Sequence, residues 1–390
     1  MVENKGTKRT GKLVRRILLS LVIFIALDLS AGLFLVRDNL QSFRTEHHYY
    51  HHGLIPNREA LAAWGPLVYP YRTNSMGLVD SAVYQVQPTT GKVRILILGD
   101  SHSEGVGVPY LKTFAGRLAT EMQKEDVEVL NASCISYSQK IEYLKLKYLL
   151  EEEGLQLDHV FLLVDISDMQ NELVYRGYKP AENSLFKKAG IRIRSFLQKH
   201  SAVYSLSHTM IQQKETDAFF DQARLFADSG RQDVQTNTLE LYSTFFSHFD
   251  DNTLLSNPRF HGVSEWYYDE EFRALADTGI QLGQTHVSRI KSMCDERGIE
   301  LTVSVHPWQT QIIRGDTADY YTRRWETWCH KNDIRFLNLF PVFINGENAL
   351  VVNRRYYIKN DNHWNEFGHE RVADTLVHYF NTHVLKSNRP

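Results

Sequence analysis

Cysteine is scarce in this chain of 390 residues: there are three, Cys134, Cys294 and Cys329. Their spacing matches no thiolate metal-ligand motif, and three thiols make no even disulfide framework. One bridge, Cys294 to Cys329, is open to them if the domain lies outside the cytoplasm, although sequence alone does not bring two Cβ atoms together. An excess of one charge is also lacking. Lys and Arg number 44 against 46 Asp and Glu, a formal net charge of −2. Such a balance gives no reason to expect nucleic acid as a partner. No internal repeat and no long low-complexity tract occurs, which excludes a repeat architecture. What is present is ordinary for a globular protein, 43% hydrophobic and 23% charged residues. The length suits one large α/β domain with extensions, or two modest domains.

The N-terminus departs from that average. Lys5, Lys8, Arg9, Lys12, Arg15 and Arg16 form a basic cluster, and an apolar run from Ile17 to Val36 follows. About 20 helical residues cross the hydrocarbon core of a bilayer. Positive charge before the segment predicts a cytoplasmic N-terminus and an extracytoplasmic remainder, periplasmic or at the cell surface. A cleaved signal peptide is the competing reading, but Leu29-Ser30-Ala31 is a poor cleavage site because Leu29 is not small. Asp28 lies inside the span, where a carboxylate is costly and usually partnered. Either it sits near the outer interface or is protonated, or it contacts another membrane protein.

The predicted organisation is a cytoplasmic tail over 1–16, a transmembrane helix over 17–36, a juxtamembrane connector over 37–91 and a main α/β domain over 92–385. The connector holds Pro56, Pro66, Pro70 and Pro88 and reads as extended. Its His47, His48, His51 and His52 lack Cys or carboxylate partners at ligand spacing, so packing near the headgroups is preferred to metal binding. From Lys92 the pattern becomes α/β. Buried strands are expected at Val93–Leu98, Val127–Leu130, His159–Val164, Ile299–Val305 and Ile334–Leu339. Helices are expected near Thr113–Lys124, Ile141–Glu153, Thr285–Arg297 and from Asn365 to about Phe380. Alternation of this kind predicts a mostly parallel five-stranded sheet with helices on both faces. The stretch of about 175–279 breaks the rhythm and reads as an insertion. Within it, Ile191 to Leu197 is basic and amphipathic, a helix that packs on its own domain or touches a membrane or anionic polymer.

The chemistry sits at strand ends. Gly99-Asp100-Ser101 follows the first buried strand. A sharp turn there exposes a serine hydroxyl at the carboxyl end of the sheet. Such a hydroxyl needs a base, and the base needs an orienting carboxylate. Asp361 and His363 supply both, two residues apart, just before the last helix. That helix would turn its positive end toward His363 and favour the neutral imidazole. Ser101 is thus expected as nucleophile, His363 as base and Asp361 as its partner. His306 and Trp308 follow the fourth strand at the same end of the sheet; they either line an acceptor or sugar site or pack in a loop. His102 is not expected as the base, and His369 is expected to be a structural hydrogen-bonder.

Gly99-Asp100-Ser101 with Asp361-x-His363-Trp364-Asn365-x-x-Gly368-His369 resembles the SGNH (GDSL-type) hydrolases. The resemblance covers Lys92 to the last helix, without the insertion. It is nearest to single-span extracytoplasmic members that modify surface polysaccharides, often beside a membrane-bound O-acyltransferase, and the segment Tyr71–Gly77 adds to the likeness. The resemblance implies a three-layer α/β/α sandwich, esterase or acyl-transfer activity, no metal and no cofactor. It also implies Ser136 where the family has an oxyanion-hole glycine, and Ser167 where it has an asparagine. Asn171 could replace the missing donor, and Asp168 would cap the following helix. Losing one oxyanion donor costs about 2.7–4 kcal/mol of barrier. Three readings follow: a carbohydrate esterase or O-acyltransferase acting on acyl, above all acetyl, esters; a degenerate partner of a membrane O-acyltransferase or polysaccharide export complex; and a lipase acting at the bilayer.

Overall fold

The computed structural model describes residues 5–35, 43–64, 67–180, 185–207, 210–211, 266, 268, 270–359 and 361–384. Val36, the first connector residues and most of the expected insertion lie outside them. Helix α1 runs Lys5–Leu35 and takes in the basic cluster and nearly all of the apolar run. Strands β1 (Arg44–His47) and β2 (His51–Leu54) make a small hairpin. Strands β3 (Glu59–Trp64), β4 (Leu67–Thr73), β5 (Val79–Asp80), β6 (Val93–Leu98), β7 (Val127–Asn131), β8 (His159–Val164), β9 (Glu300–Val305) and β10 (Arg335–Asn338) build one sheet. Its order is β10-β9-β8-β6-β7-β5-β4-β3.

The five strands expected from sequence are the parallel part of this sheet. β8 is buried at every position and β6 at all but its first, as parallel strands covered on both faces must be. Helices α3 (Phe114–Met122) and α12 (Glu366–His383) cover one face, where Phe114, Leu118, Val372 and Leu376 meet Ile95, Ile97 and Phe161. Helices α4 (Gln139–Glu151), α7 (Glu270–Asp295) and α9 (Tyr320–Lys331) cover the other, where Leu146, Val287 and Trp325 meet Leu96, Leu98 and Leu162. The result is the three-layer α/β/α sandwich that was expected.

Two boundaries are corrected. The sheet has eight strands rather than five, because the connector folds into it: β3, β4 and β5 add antiparallel strands beyond β7. The prolines misled here. Pro70 lies inside β4, but β5 pairs with β4 only at Arg72 and Thr73, so nothing needs the N–H that Pro70 lacks. The expected insertion also ends early. α7 begins at Glu270, and its Ala276 and Ile280 are already buried in the core against Met169.

Cys294 and Cys329 are both buried free thiols, so the bridge considered from sequence is not made. The connector histidines make contacts within the connector and with the domain. His47 stacks on Tyr50 with ring centroids 3.6 Å apart, and His52 Nε2 lies 2.8 Å from the Ile135 carbonyl.

Candidate active site

The turn after β6 is made tight by Gly99. A Cβ there would lie 2.3 Å from Ser103 Oγ and 3.0 Å from the Leu163 carbonyl, so only glycine fits. The short helix α2 (Ser101–Glu104) starts directly afterwards, and the Asp100 carboxylate accepts the His102 N–H at its head. Ser101 therefore stands at the carboxyl end of β6, with 8% of its surface exposed.

The late loop arrives from the other side. A bridge between Tyr357 and Trp364 closes it, with Ile358 N–H donating to the His363 carbonyl. Trp364 is buried and stacks on Phe343, which fixes the loop from beneath. α12 begins just beyond, its Asn365 side chain accepting from the N–H groups of Phe367 and Gly368. The three expected residues meet. His363 Nε2 lies 2.8 Å from Ser101 Oγ, and His363 Nδ1 lies 2.5 Å from Asp361 Oδ1. With Nδ1–H donating to Asp361, the Nε2 lone pair faces the serine hydroxyl, the arrangement a general base requires.

The base is tuned differently from the sequence expectation. Burial pushes the His363 imidazole down, but the Asp361 charge and hydrogen bond outweigh it and the value is raised. The α12 terminus does not prevail because the carboxylate is a full charge at hydrogen-bond distance, whereas a helix end is a partial one.

Asp361 has a partner no motif foretold. Trp64, the last residue of β3, donates its Nε1–H to Asp361 Oδ2 at 2.7 Å and sets its ring edge-on to His363 at 5.0 Å. The connector thus completes the site. It also braces the helix that carries Ser101: Arg44 of β1 makes two contacts to Glu104 of α2, at 2.6 and 3.0 Å, and Tyr71 of β4 donates to the same carboxylate at 2.8 Å. Burial alone would push the Glu104 carboxyl up; Arg44 outweighs it and holds it below its ordinary value.

Beneath Ser101 lies a second buried cluster centred on Asp165, the residue after β8. Asp165 Oδ2 is 3.1 Å from His102 Nδ1 and 3.0 Å from His306 Nε2, and it accepts Trp308 Nε1–H at 2.7 Å. Burial pushes the Asp165 carboxyl up, but these contacts outweigh it and hold it well below its ordinary value. Burial drops His306 to about 4. Burial, and then the Asp165 charge, lift Asp100 to about 7. His306 is fully enclosed and Trp308 nearly so, which corrects the acceptor-lining reading: both face Asp165 in the interior. His102, Asp165 and His306 converge closely enough to hold a cation, their donor atoms lying within 4.8 Å of one another. Three ligands would suit an open site rather than a closed structural one, but Trp308 already donates to the oxygen that would bind. The cluster reads instead as a buried, charged floor to the site.

The oxyanion positions fare unequally. Ser136 adopts φ +61°, the left-handed conformation that suits glycine, and its loop hangs on the β6 end through Cys134 N–H to the Gly99 carbonyl. Asn171, on α5 (Asp168–Tyr175), approaches the same loop, its Nδ2 lying 3.4 Å from the Tyr137 carbonyl. Ser167 does not serve: its hydroxyl donates to Asp165 Oδ1 at 2.6 Å, which commits its one proton. Asp168 does not cap α5. It accepts from Asp165 N–H at 2.8 Å and from Gln139 Nε2 at 2.5 Å, deep in the core. His369 is structural as expected, accepting Phe114 N–H at 3.2 Å.

No family model and no curated protein matches the chain. Among solved structures it is similar to TesA, with 11% identity over 74% of this chain and 97% of that one, at a TM-score of 0.37. It is similar to the acetyl xylan esterase AlAXEase, with 11% identity over 74% and 99% of the two chains, at a TM-score of 0.36. It is also similar to a member of the lipolytic protein G-D-S-L family from Veillonella parvula, with 12% identity over 74% and 99%, at a TM-score of 0.33. Likenesses this remote speak to neither activity nor substrate.

Proposed function

We propose that this protein is a membrane-anchored serine esterase or O-acyltransferase of the SGNH type, working outside the cytoplasm on acyl, above all acetyl, esters of a carbohydrate. The observation that carries the chemistry is the line Ser101 Oγ, His363 Nε2, His363 Nδ1, Asp361 Oδ1, with contacts of 2.8 and 2.5 Å. Ser101 Oγ attacks the ester carbonyl and its proton passes to His363 Nε2. Collapse of the tetrahedral intermediate breaks the ester bond, and His363 returns the proton to the departing alcohol. Water or a sugar hydroxyl then enters, gives its proton to His363 and takes the acyl group, and as the bond to Ser101 Oγ breaks His363 returns that proton to Oγ. The Ser136 backbone N–H and the Asn171 amide are the candidate oxyanion donors. The carbohydrate ester is inferred from the motif resemblance, and the location from the basic cluster that precedes the apolar run within α1. The 24 residues Lys12–Leu35 have the length and apolarity to cross a bilayer.

The committed Ser167 hydroxyl favours one other reading, a degenerate partner of a membrane O-acyltransferase or polysaccharide export complex. Fluorophosphonate labelling of the full-length protein separates the two. The hydrolase reading expects a covalent adduct on Ser101, absent from Ser101→Ala and sharply slowed in His363→Ala. Folded wild type that takes no label would establish the degenerate reading. An acyl-chain and acceptor screen, with mass spectrometry of the Ser101 adduct, then reports chain length and distinguishes water from a sugar acceptor. Preference for long chains over acetyl would point to a lipase.

A further inference from the structure

Helix α6 (Leu185–His200) and the helical turns at 202–207 carry an inverted pattern. On a soluble domain the large apolar side chains of a surface helix turn inward. Here Gln198, Ser201, Ala202 and Ser205 face inward with only 3–4% exposed. Ile193, Phe196, Val203, Leu206, Met210 and Ile211 face outward with 48–62% exposed. Within the turns at 202–207, Val203 and Leu206 fall at helical spacing and form one stripe.

The segment is seated on α1. Asp28 Oδ1 accepts Val203 N–H at 2.8 Å. A Cβ on Gly32 would lie 1.8 Å from the His200 carbonyl, so the two backbones touch. At the usual helical rise, Asp28 sits about 10 Å before Leu35 along the α1 axis. If α1 crosses a bilayer, the junction at 200–203 and the stripe beside it lie at the depth of acyl chains.

The backbone at the break satisfies itself as a chain in lipid must. Besides Val203, Tyr204 N–H donates to Ser201 Oγ and Ser205 N–H to the Ser201 carbonyl. Small and polar residues at the helix contact with large apolar ones outside are also what packing within a membrane favours.

We propose that residues 193–207, with 210–211, belong to a second membrane-embedded element, lying beside α1 in the outer leaflet with its stripe covered by lipid acyl chains. This rests on the reading of α1 as an anchor. It gives Asp28 its partner within the chain. It also holds the catalytic domain against the bilayer surface, because Gln198 Nε2 donates to the Arg44 carbonyl at 3.3 Å and Arg194 pairs with Glu46 at 3.0 Å. Arg44 in turn grips Glu104 of α2, so the nucleophile helix is held close to the membrane.

The test uses full-length protein in nanodiscs of phosphatidylcholine, with and without bromine on the acyl chains. Leu206→Cys and Met210→Cys carry bimane, with Leu33→Cys on α1 and Val351→Cys on the domain as references and unsubstituted protein as the labelling blank. The proposal expects bromolipid to quench positions 206 and 210 as strongly as 33, with iodide quenching only 351. Iodide quenching at 206 and 210 while 33 still answers to bromolipid would overturn it and leave the anchor standing. Shielding of 206 and 210 from both quenchers would mean a protein cover, and would overturn it too. Iodide quenching at 33 would remove the anchor reading and the proposal together.

Discussion

Trp64→Phe is the substitution that tests whether the connector belongs to the catalytic machinery. The phenyl ring keeps the edge-on contact to His363 and removes one N–H, the donor to Asp361 Oδ2 at 2.7 Å. The other oxygen, Oδ1, stays engaged by His363 N–H at 2.7 Å and His363 Nδ1 at 2.5 Å. Asp361 is buried, so water does not replace the lost donor. A hydrogen bond to a charged group contributes about 1.5–3 kcal/mol. If it is felt fully in the transition state, where His363 becomes a cation and needs Asp361 held in line, the rate falls about 10- to 150-fold. The assay is the second-order rate of fluorophosphonate inactivation of full-length protein, with hydrolysis of p-nitrophenyl acetate alongside. The loss should fall on kcat rather than KM. A variant that melts like wild type and reacts at the wild-type rate would refute the reasoning, leaving Trp64 as packing alone.

Three further outcomes are expected. Because His363 is raised, kcat/KM should fall as pH drops through that raised value, where the imidazolium can no longer take the Ser101 proton. Asp361→Asn should move this limb to lower pH and lower the plateau by about four orders of magnitude; a limb that stays in place in the pH profile would contradict the assignment. Asp165→Asn removes the charge that His102, His306 and Trp308 share, and thermal melts should show about 3–5 kcal/mol of lost stability. Since the Asp165 carboxyl is held well below its ordinary value, its contribution is complete above the unfolded value and lost only as pH falls through the folded one. Loss of the Asp165 charge also lowers Asp100, whose raised value costs the wild type stability as pH climbs toward about 7, so the deficit should shrink over that range, and a deficit that grows would count against it. Ser136→Gly should relieve the left-handed backbone by about 1 kcal/mol while leaving the backbone N–H in place, so stability rises and activity is kept. Loss of activity in the stabilised variant would show that the side chain, not the N–H, matters.

The parallel strands were legible because their signal is local. Val93–Leu98 and His159–Val164 match the structure residue for residue, since a strand covered on both faces must be apolar almost throughout. Ser101, Asp361 and His363 were legible because each lies beside a strand end or a helix start that marks itself. Trp64 was not. It lies 297 residues from Asp361, on a strand of short apolar residues between prolines, and only the sheet order brings the two together. Arg44 and Glu104 fail for the same reason, at a separation of 60 residues. Asp165 left a usable trace: it closes an unbroken apolar strand next to the nucleophile strand, where a carboxylate is costly unless paired. What no motif marks is the pull of Asp165, which draws the side chains of His306, Trp308, Ser167 and Asp168 inward or against itself, away from a cleft rim or a helix cap.

The strands contributed by residues 59–80 have a practical and a biological consequence. A soluble version begun at Lys92, where the α/β pattern starts, would lack Arg44, Trp64, Tyr71 and three strands of the sheet. It would keep Ser101, His363 and Asp361 and still be a poor catalyst, and its failure would be mistaken for evidence of a dead site. If the domain is anchored outside the cytoplasm as proposed, a protease there would meet the same division. Cleavage ahead of Phe43 would spare Arg44 and Trp64 and leave the second embedded element as the remaining hold on the bilayer, whereas a cut between β2 and β3 would part Arg44 from the chain that carries Glu104. On that reading, where the chain is severed decides whether the proposed activity survives the cut.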